Sequence, residues 1–378
     1  MSASGKTRNT DQLADRLRAR IKQQGPIPFR EWMAAALYDE CDGYYCRADR
    51  IPQGRAGDYR TAPETSPLFA ATFAFYFAKL FADLKWPPSL TIFEAGAGSG
   101  QFAHGILSSL RRDSPEVFAV TNYIIDEVSP AARRRAADRL AEFSNRVSFA
   151  RLIELDTPVA AGIVFSNEVI DAFPVHRVIK RNGTLRELLV GLNGSNFVWV
   201  EGDLESCVAE YCEHVGIKLA EGQIAEINLD AESFVTRAAG LIDRGYVVSV
   251  DYGAERNDLL SDPNRHQGTL RAFSRHRLMD NPLDGPGEQD LTTTVDWTQI
   301  REAGDRAGLL TIGLERLDQF LIGQGLTSLL MEMTASTKNA ADALYLTTSS
   351  RELILPTGMA ASFQVCVQEK VLLAATLS

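Results

Sequence analysis

Positive charge is in short supply in this sequence. The 378-residue chain carries 39 Lys and Arg against 49 Asp and Glu, a formal net charge of −10. A chain of that sign opposes a phosphate backbone, so nucleic acid is not expected as a partner. Arg133, Arg134 and Arg135 form the one tight basic cluster, and they read as the solvated face of a helix. Long apolar runs are missing as well: no stretch of about 18 apolar residues occurs, so no membrane span is expected. Met1 to Asp11 is polar, with Lys6 and Arg8 but no apolar segment behind them, which argues against a secretory signal; Asp11 and Asp15 argue against an organelle transit peptide. Cysteine is sparse. Five residues, an odd number at loose spacing, point to reduced thiols rather than a disulfide framework. Cys207, Cys212 and His214 lie close in sequence, but five residues of helix turn the two thiols about 140° apart. A fourth ligand and a short Cys spacing are also missing, so no metal site is expected.

What is present is an ordinary 45% of apolar residues, enough for a sizeable core, arranged in two rhythms. Up to residue 89 the pattern is helical: Asp11–Gln23 is stopped by Gly25 and Pro26, Phe29–Leu37 is shorter, and Leu68–Leu84 carries an apolar stripe of Phe69, Phe73, Phe77, Leu80, Phe81 and Leu84. From Leu90 short apolar runs alternate with helical patterns, as βαβ units of a mostly parallel sheet do. Strands are predicted at Leu90–Ala95, Asn122–Glu127, Val147–Leu152, Gly162–Ser166, Gly245–Val250, Leu309–Leu314 and Ser362–Val367. Helices are predicted at Gln101–Arg111, Pro130–Phe143, Ala231–Asp243, Val295–Gly308 and Leu326–Leu346. Val175–Val200 breaks the rhythm with three β-rich runs separated by Asn182-Gly183 and Asn193-Gly194, both hairpin signals. Glu205–Asp230 has no clear pattern, and Ser261–Asp290 is a long polar segment of the kind usually kept for function. The expected organisation is an N-terminal helical or lid region, 1–89, and a doubly wound α/β core, 90–378, with insertions at about 174–230 and 254–294.

Chemistry concentrates at strand ends. Glu94-Ala95-Gly96-Ala97-Gly98-Ser99-Gly100 follows a strand and opens a helix, where glycines let the backbone turn tightly and a ligand approach it closely. A dinucleotide fingerprint would need glycine at position 101, which is Gln. An acid followed by Gly-x-Gly-x-Gly instead suits S-adenosylmethionine, whose ammonium Glu94 can hold. Glu127 ends the second strand, where an acid accepts ribose hydroxyls; strand alternation sends either it or Asp126 toward the ligand, and Glu127 is preferred. Asn167, Glu168 and Asp171 follow the fourth strand, at the edge where open α/β sheets bind ligands. Two carboxylates there suit a guanidinium or an ammonium, although Asp171 also fits the cap of a following helix. The glycine-rich segment Ile51–Pro67, with Asp58, Thr61 and Glu64, is expected to close over cofactor or substrate. His276, in the long polar loop, is a candidate proton acceptor.

Several of these motifs, in this order, resemble one family. Gly54 to Ser66 is similar to the G-D-[FY]-x-T-x-P-E segment of the MidA family, and the resemblance continues through Glu94 to Gly100, Asp126 to Pro130, Asn167-Glu168, Asp171 to Val175, Asp251-Tyr252-Gly253, Gly268 to Phe273, His276, Pro286 to Glu288 and Asp290 to Thr292. It spans the chain from about residue 25 onward. The resemblance implies a Rossmann-like class I methyltransferase core with an N-terminal helical region and an inserted antiparallel β meander. It implies an S-adenosylmethionine-dependent protein arginine methyltransferase related to the mitochondrial complex I assembly factor, acting symmetrically on an arginine of a complex I subunit. The expected partner is then an arginine-bearing protein. The expected compartment is the cytoplasm in a bacterium, or the mitochondrial matrix in a eukaryote. In this reading Asp58, Thr61, Glu94, Gly96, Gly98, Gly100, Glu127 and Asn167 hold the cofactor, while Glu168, Asp171 and His276 act on the substrate. Two departures stand out: the glycine turn usually reads E-L-G-P-G-R-G, and Val169 and Ile170 replace the two aromatics that usually open the helix after Asn167-Glu168. A non-catalytic assembly chaperone with the same fold, or a methyltransferase for a small molecule, are the alternatives.

Overall fold

The computed structural model describes residues 12–47, 62–274 and 277–371. Asp58, Thr61 and His276, with most of the expected lid, lie outside the described residues. The chain divides into two compact units, neither continuous in sequence.

The larger unit takes residues 53–172, 230–259 and 294–378. At its centre is a seven-stranded sheet of β1 (Leu90–Ala95), β2 (Thr121–Asp126), β3 (Val147–Phe149), β4 (Gly162–Asn167), β5 (Gly245–Asp251), β6 (Leu310–Arg316) and β7 (Gln364–Lys370). Their spatial order is β3-β2-β1-β4-β5-β7-β6. The first five run parallel, and β7 lies antiparallel to both β5 and β6. Every residue of β1 and of β5 is buried, as expected of strands covered on both faces. The chain winds outward from β1 to β3 and then returns to β4, so the order reverses between β1 and β4, and the ligand crevice of such sheets opens at that reversal.

The helix Pro67–Asp83 joins this core rather than a separate N-terminal region, so the boundary expected at residue 89 is not where the compact units divide. Ser66 caps it, accepting from the Leu68 N–H at 3.3 Å, and Pro67 sits in its first turn, where a missing N–H costs nothing. All six residues of its predicted apolar stripe are buried. Each such side chain removes enough apolar surface from water to contribute about 1.5–3 kcal/mol. Phe73 packs on Phe102 and on Phe165 of β4, with ring centroids 5.9 and 5.2 Å away, and Phe102 stacks on Phe165 at 4.2 Å. Through Phe165 these rings tie the helix to β4.

The smaller unit takes residues 1–52, 173–229 and 260–293. The predicted hairpins are there. Strands His176–Arg181, Thr184–Asn193 and Asn196–Gly202 pair antiparallel in sequence order. The first turn has Asn182 at φ 50° and Gly183 at φ 80°, the double left-handed geometry that favours Asn-Gly. Glu221 accepts both turn N–H groups, at 2.7 and 3.2 Å. The segment without a pattern, 205–230, resolves into a helix, Ser206–His214, and an edge strand, Ile224–Ile227, that pairs with His176–Ile179. Two further differences concern length: the third core strand stops at Phe149, and the helix expected over 326–346 is two, Leu326–Ser336 and Ala340–Ile354. Among the described residues no helix is long and apolar enough to cross a membrane.

Candidate active site

The chain leaves β1 through three left-handed glycines, Gly96, Gly98 and Gly100, at φ 67°, 54° and 73°. Residues with a Cβ rarely adopt these angles. Packing adds a second reason at two of them: a Cβ on Gly96 would stand 2.6 Å from Val169 Cγ2, and one on Gly100 would stand 3.0 Å from Ala136. The Gly98 N–H donates to Glu127 Oε2 at 2.7 Å.

The acids at the strand ends separate as alternation requires. Asp126 faces away, accepting from Arg151 Nε at 2.8 Å and from the Leu152 N–H at 2.9 Å. Glu127 is buried against the glycine turn, and its second oxygen accepts from the Ser129 N–H at 2.7 Å. Burial raises its pKa, against the pull of those two N–H groups. Glu94 is only 4% exposed, and the Tyr123 hydroxyl donates to it at 2.6 Å. Burial, with Glu127 adding to the effect, pushes its pKa up to about 8.

β4 delivers Asn167 and Glu168 to the same place. Asn167 Nδ2 donates to Glu168 Oε1 at 3.0 Å, whereas its Oδ1 is buried without a hydrogen-bond partner. Glu168 takes φ 54°, a left-handed conformation that a non-glycine residue holds only when its surroundings enforce it. Asp251, at the end of β5, does the enforcing. Its Oδ2 accepts from the consecutive N–H groups of Val169, Ile170 and Asp171, at 3.3, 3.0 and 3.3 Å, and its Oδ1 accepts from Tyr252 at 3.0 Å. Burial, with the neighbouring Glu168 charge, raises the Asp251 pKa to about 8. The helix expected after Glu168 is therefore absent: residues 168–175 form turns wrapped around a carboxylate, and Asp171 caps no helix there. No role for Asp251 is visible in the sequence alone. An acid at a core strand's end was the available signal, but its partners lie about eighty residues upstream.

These elements enclose an open cleft of about 460 Å³ at the reversal between β1 and β4. Glu94, Gly96, Asn167 and Glu168 line it, together with Pro63, Glu64, Ser99 and Gln101. Asp171 is buried and is not among the lining residues. A buried carboxylate and an unpartnered amide oxygen, both at the cleft wall, suit a ligand that brings N–H donors and positive charge, as the amino-acid end of S-adenosylmethionine does.

Known proteins agree with that chemistry. Residues 72–314 match a family model described as "Putative S-adenosyl-L-methionine-dependent methyltransferase". The chain is 27% identical to "Protein arginine methyltransferase NDUFAF7, mitochondrial" of Danio rerio over 92% of this chain and 84% of that one. It is 27% identical to the Drosophila melanogaster homolog of the same name, over 78% and 70%. A crystal structure from Burkholderia thailandensis, described as a "likely methyl transferase" and bound to S-adenosyl-homocysteine, superposes with a TM-score of 0.84 at 30% identity, covering 96% of this chain and 92% of that one. The chain accordingly belongs to this family of S-adenosylmethionine-dependent methyltransferases, and S-adenosylmethionine is its cofactor.

Proposed function

We propose that the chain transfers a methyl group to an arginine side chain of a partner protein. The observation that carries this reading is Glu168: a carboxylate on the wall of the cofactor cleft, held in a left-handed conformation as Asp251 gathers the N–H groups of Val169, Ile170 and Asp171. The names of the Danio and Drosophila relatives favour the same substrate. The family resemblance extends it to symmetric dimethylation of a respiratory complex I subunit.

Bound S-adenosylmethionine supplies a sulfonium-activated methyl group; the chain's own residues have to bind and aim. In this reading Glu94 and the Asn167 Oδ1 receive the ammonium, and the glycine turn lets the backbone approach the cofactor. The lone pairs of Glu127 not used by Gly98 and Ser129 accept ribose hydroxyls. Arginine remains protonated at neutral pH, its pKa being above about 12. A carboxylate gripping its guanidinium orients one nitrogen in line and offsets charge as the methyl arrives. That grip is assigned to Glu168. Asp171 supports it through the turn it shares with Asp251. His276 is the proposed acceptor of the proton, and Asp58 and Thr61 the proposed cover of the cofactor, all three outside the described residues.

The test is incubation of the full chain with methyl-labelled cofactor and lysate of its source cells, followed by mass spectrometry. Label on arginine of one or a few proteins is expected. Label confined to small molecules or other side chains overturns the substrate; binding without any transfer favours a scaffold.

A further inference from the structure

The β meander holds a second cluster of chemically capable side chains. His176, 3% exposed, opens the strand His176–Arg181, and its Nδ1 lies 2.7 Å from Glu187 Oε1. Glu187 is fully buried, and its other oxygen accepts from the Glu205 N–H at 3.1 Å. A carboxylate on Nδ1 fixes the ring and leaves the lone pair on Nε2, which is how metal-ligating histidines are commonly oriented. A ring nitrogen of His176, a carboxylate oxygen of Glu205 and the Cys207 Sγ all lie within 4.8 Å of one another. Donor atoms around a tetrahedral zinc ion, each about 2.0–2.3 Å from it, stand roughly 3.5 Å apart. Glu187 holds His176, whereas Glu205 and Cys207 are exposed and the Cys207 thiol donates to Glu205 Oε2 at 3.9 Å, a contact that a bound ion would replace.

We infer that His176, Glu205 and Cys207 form a binding site for a zinc-like divalent cation, with Glu187 as the group that orients the histidine. The donor set supports that class of ion: thiolate and imidazole select a borderline-soft metal over magnesium or calcium. Charge supports it too, since a thiolate and a carboxylate together neutralise a divalent ion. Binding forms an S–metal bond and releases the Cys207 thiol proton to solvent. Cys212, which the sequence puts beside Cys207, is excluded: it is buried, and burial with the nearby Glu187 charge pushes its pKa up to about 11. Three protein ligands leave one position for water, and the ion would tie the start of the meander to the N-terminus of the helix Ser206–His214.

The full chain, dialysed against chelator, is titrated with Co²⁺ and then with Zn²⁺. One equivalent of Co²⁺ should bind with a near-ultraviolet thiolate-to-cobalt band, and Zn²⁺ should displace it. Cys207→Ser, at an exposed position, should abolish the band and weaken Zn²⁺ binding at least tenfold. Glu187→Gln should weaken binding about 10- to 100-fold, and Cys41→Ser, at the other exposed cysteine, should change nothing. If the buried Glu187 variant does not fold, Cys207→Ser decides alone. Absence of stoichiometric binding, or a band that survives Cys207→Ser, overturns the site.

Discussion

If Glu94 receives the ammonium of S-adenosylmethionine, cofactor binding must expel a proton. Burial, reinforced by Glu127, pushes the Glu94 pKa up to about 8. At pH 7 about nine carboxyls in ten are then neutral, and a neutral carboxyl is a poor partner for an ammonium. Ionising it there costs about 1.4 kcal/mol, one pKa unit. A hydrogen bond between charged groups contributes about 1.5–3 kcal/mol, so the ionised pair wins by a narrow margin. Binding should therefore release roughly 0.5–0.8 proton per cofactor at pH 7. Affinity should rise about two- to sixfold from pH 6 to pH 7, then level off near pH 8, where an α-ammonium begins to lose its own proton at about 7.7–8.0.

Titration calorimetry in two buffers of different ionisation enthalpy measures the released proton directly. The apparent binding enthalpy should differ between buffers in proportion to that release. Glu94→Gln should bind with a buffer-independent enthalpy, and at pH 7 should lose no more than about 15-fold in affinity, because the wild type spends most of its ion-pair energy on ionisation. A wild-type enthalpy identical in both buffers, or a release that persists in Glu94→Gln, would refute the assignment of Glu94 to the ammonium.

Three further outcomes are expected. Gly98→Val should retain the fold and lose cofactor binding in the same calorimeter, since it forces a β-branched residue to φ 54° and disturbs the N–H that reaches Glu127. Glu168→Gln should reduce arginine methylation about 30- to 150-fold, the kinetic equivalent of roughly 2–3 kcal/mol, at unchanged cofactor affinity. Asp251→Asn leaves at least one buried N–H without an acceptor, costing about 1–3 kcal/mol, and should lower both melting temperature and turnover. The pH dependence checks its cause. With a folded pKa raised from 3.8 to about 8, the stabilisation from Asp251 is complete below pH 3.8 and is lost as pH rises to about 8, so the Asn variant should show a shallower decline across that window.

Local signals in the sequence located most of the core. The wholly buried strands β1 and β5 appear as short, mostly apolar runs, broken by Thr91 and Glu94 in one and by Ser249 and Asp251 in the other, and the stripe from Phe69 to Leu84 has the period of the helix that buries it. Asn182-Gly183 announces its turn because those residues tolerate positive φ. The segment 205–230 announced nothing: Ile224–Ile227 is a four-residue edge strand, too short for periodicity, and its identity comes from its pairing with His176–Ile179. The glycine turn and Glu127 leave a local mark, alternating glycines after an acid and an acid at a strand's end, although the contacts that hold them, Gly98 to Glu127 and Gly96 against Val169, are distant in sequence.

The turn after β4 shows why the rest was not. The residues from Glu168 to Val175 suggest a helix with Asp171 as a cap, and local hydrogen bonding would allow one. Instead the consecutive N–H groups at 169, 170 and 171 converge on Asp251, which lies on the neighbouring parallel strand and reaches them only once β4 and β5 have paired. Strand pairing thus precedes the shape of the turn in the chain of causes. Pairing brings Asp251 beside the turn, Asp251 collects its N–H groups, and Glu168 is left at φ 54° on the cleft wall. The same contact sets the two carboxylates against each other, so the charge of Glu168 helps to raise the Asp251 pKa. A cationic guanidinium bound at Glu168 would relieve that repulsion and lower the Asp251 pKa. The carboxylate that shapes the turn and the carboxylate proposed to grip the substrate are therefore electrostatically linked, through a contact that neither residue's sequence neighbours encode.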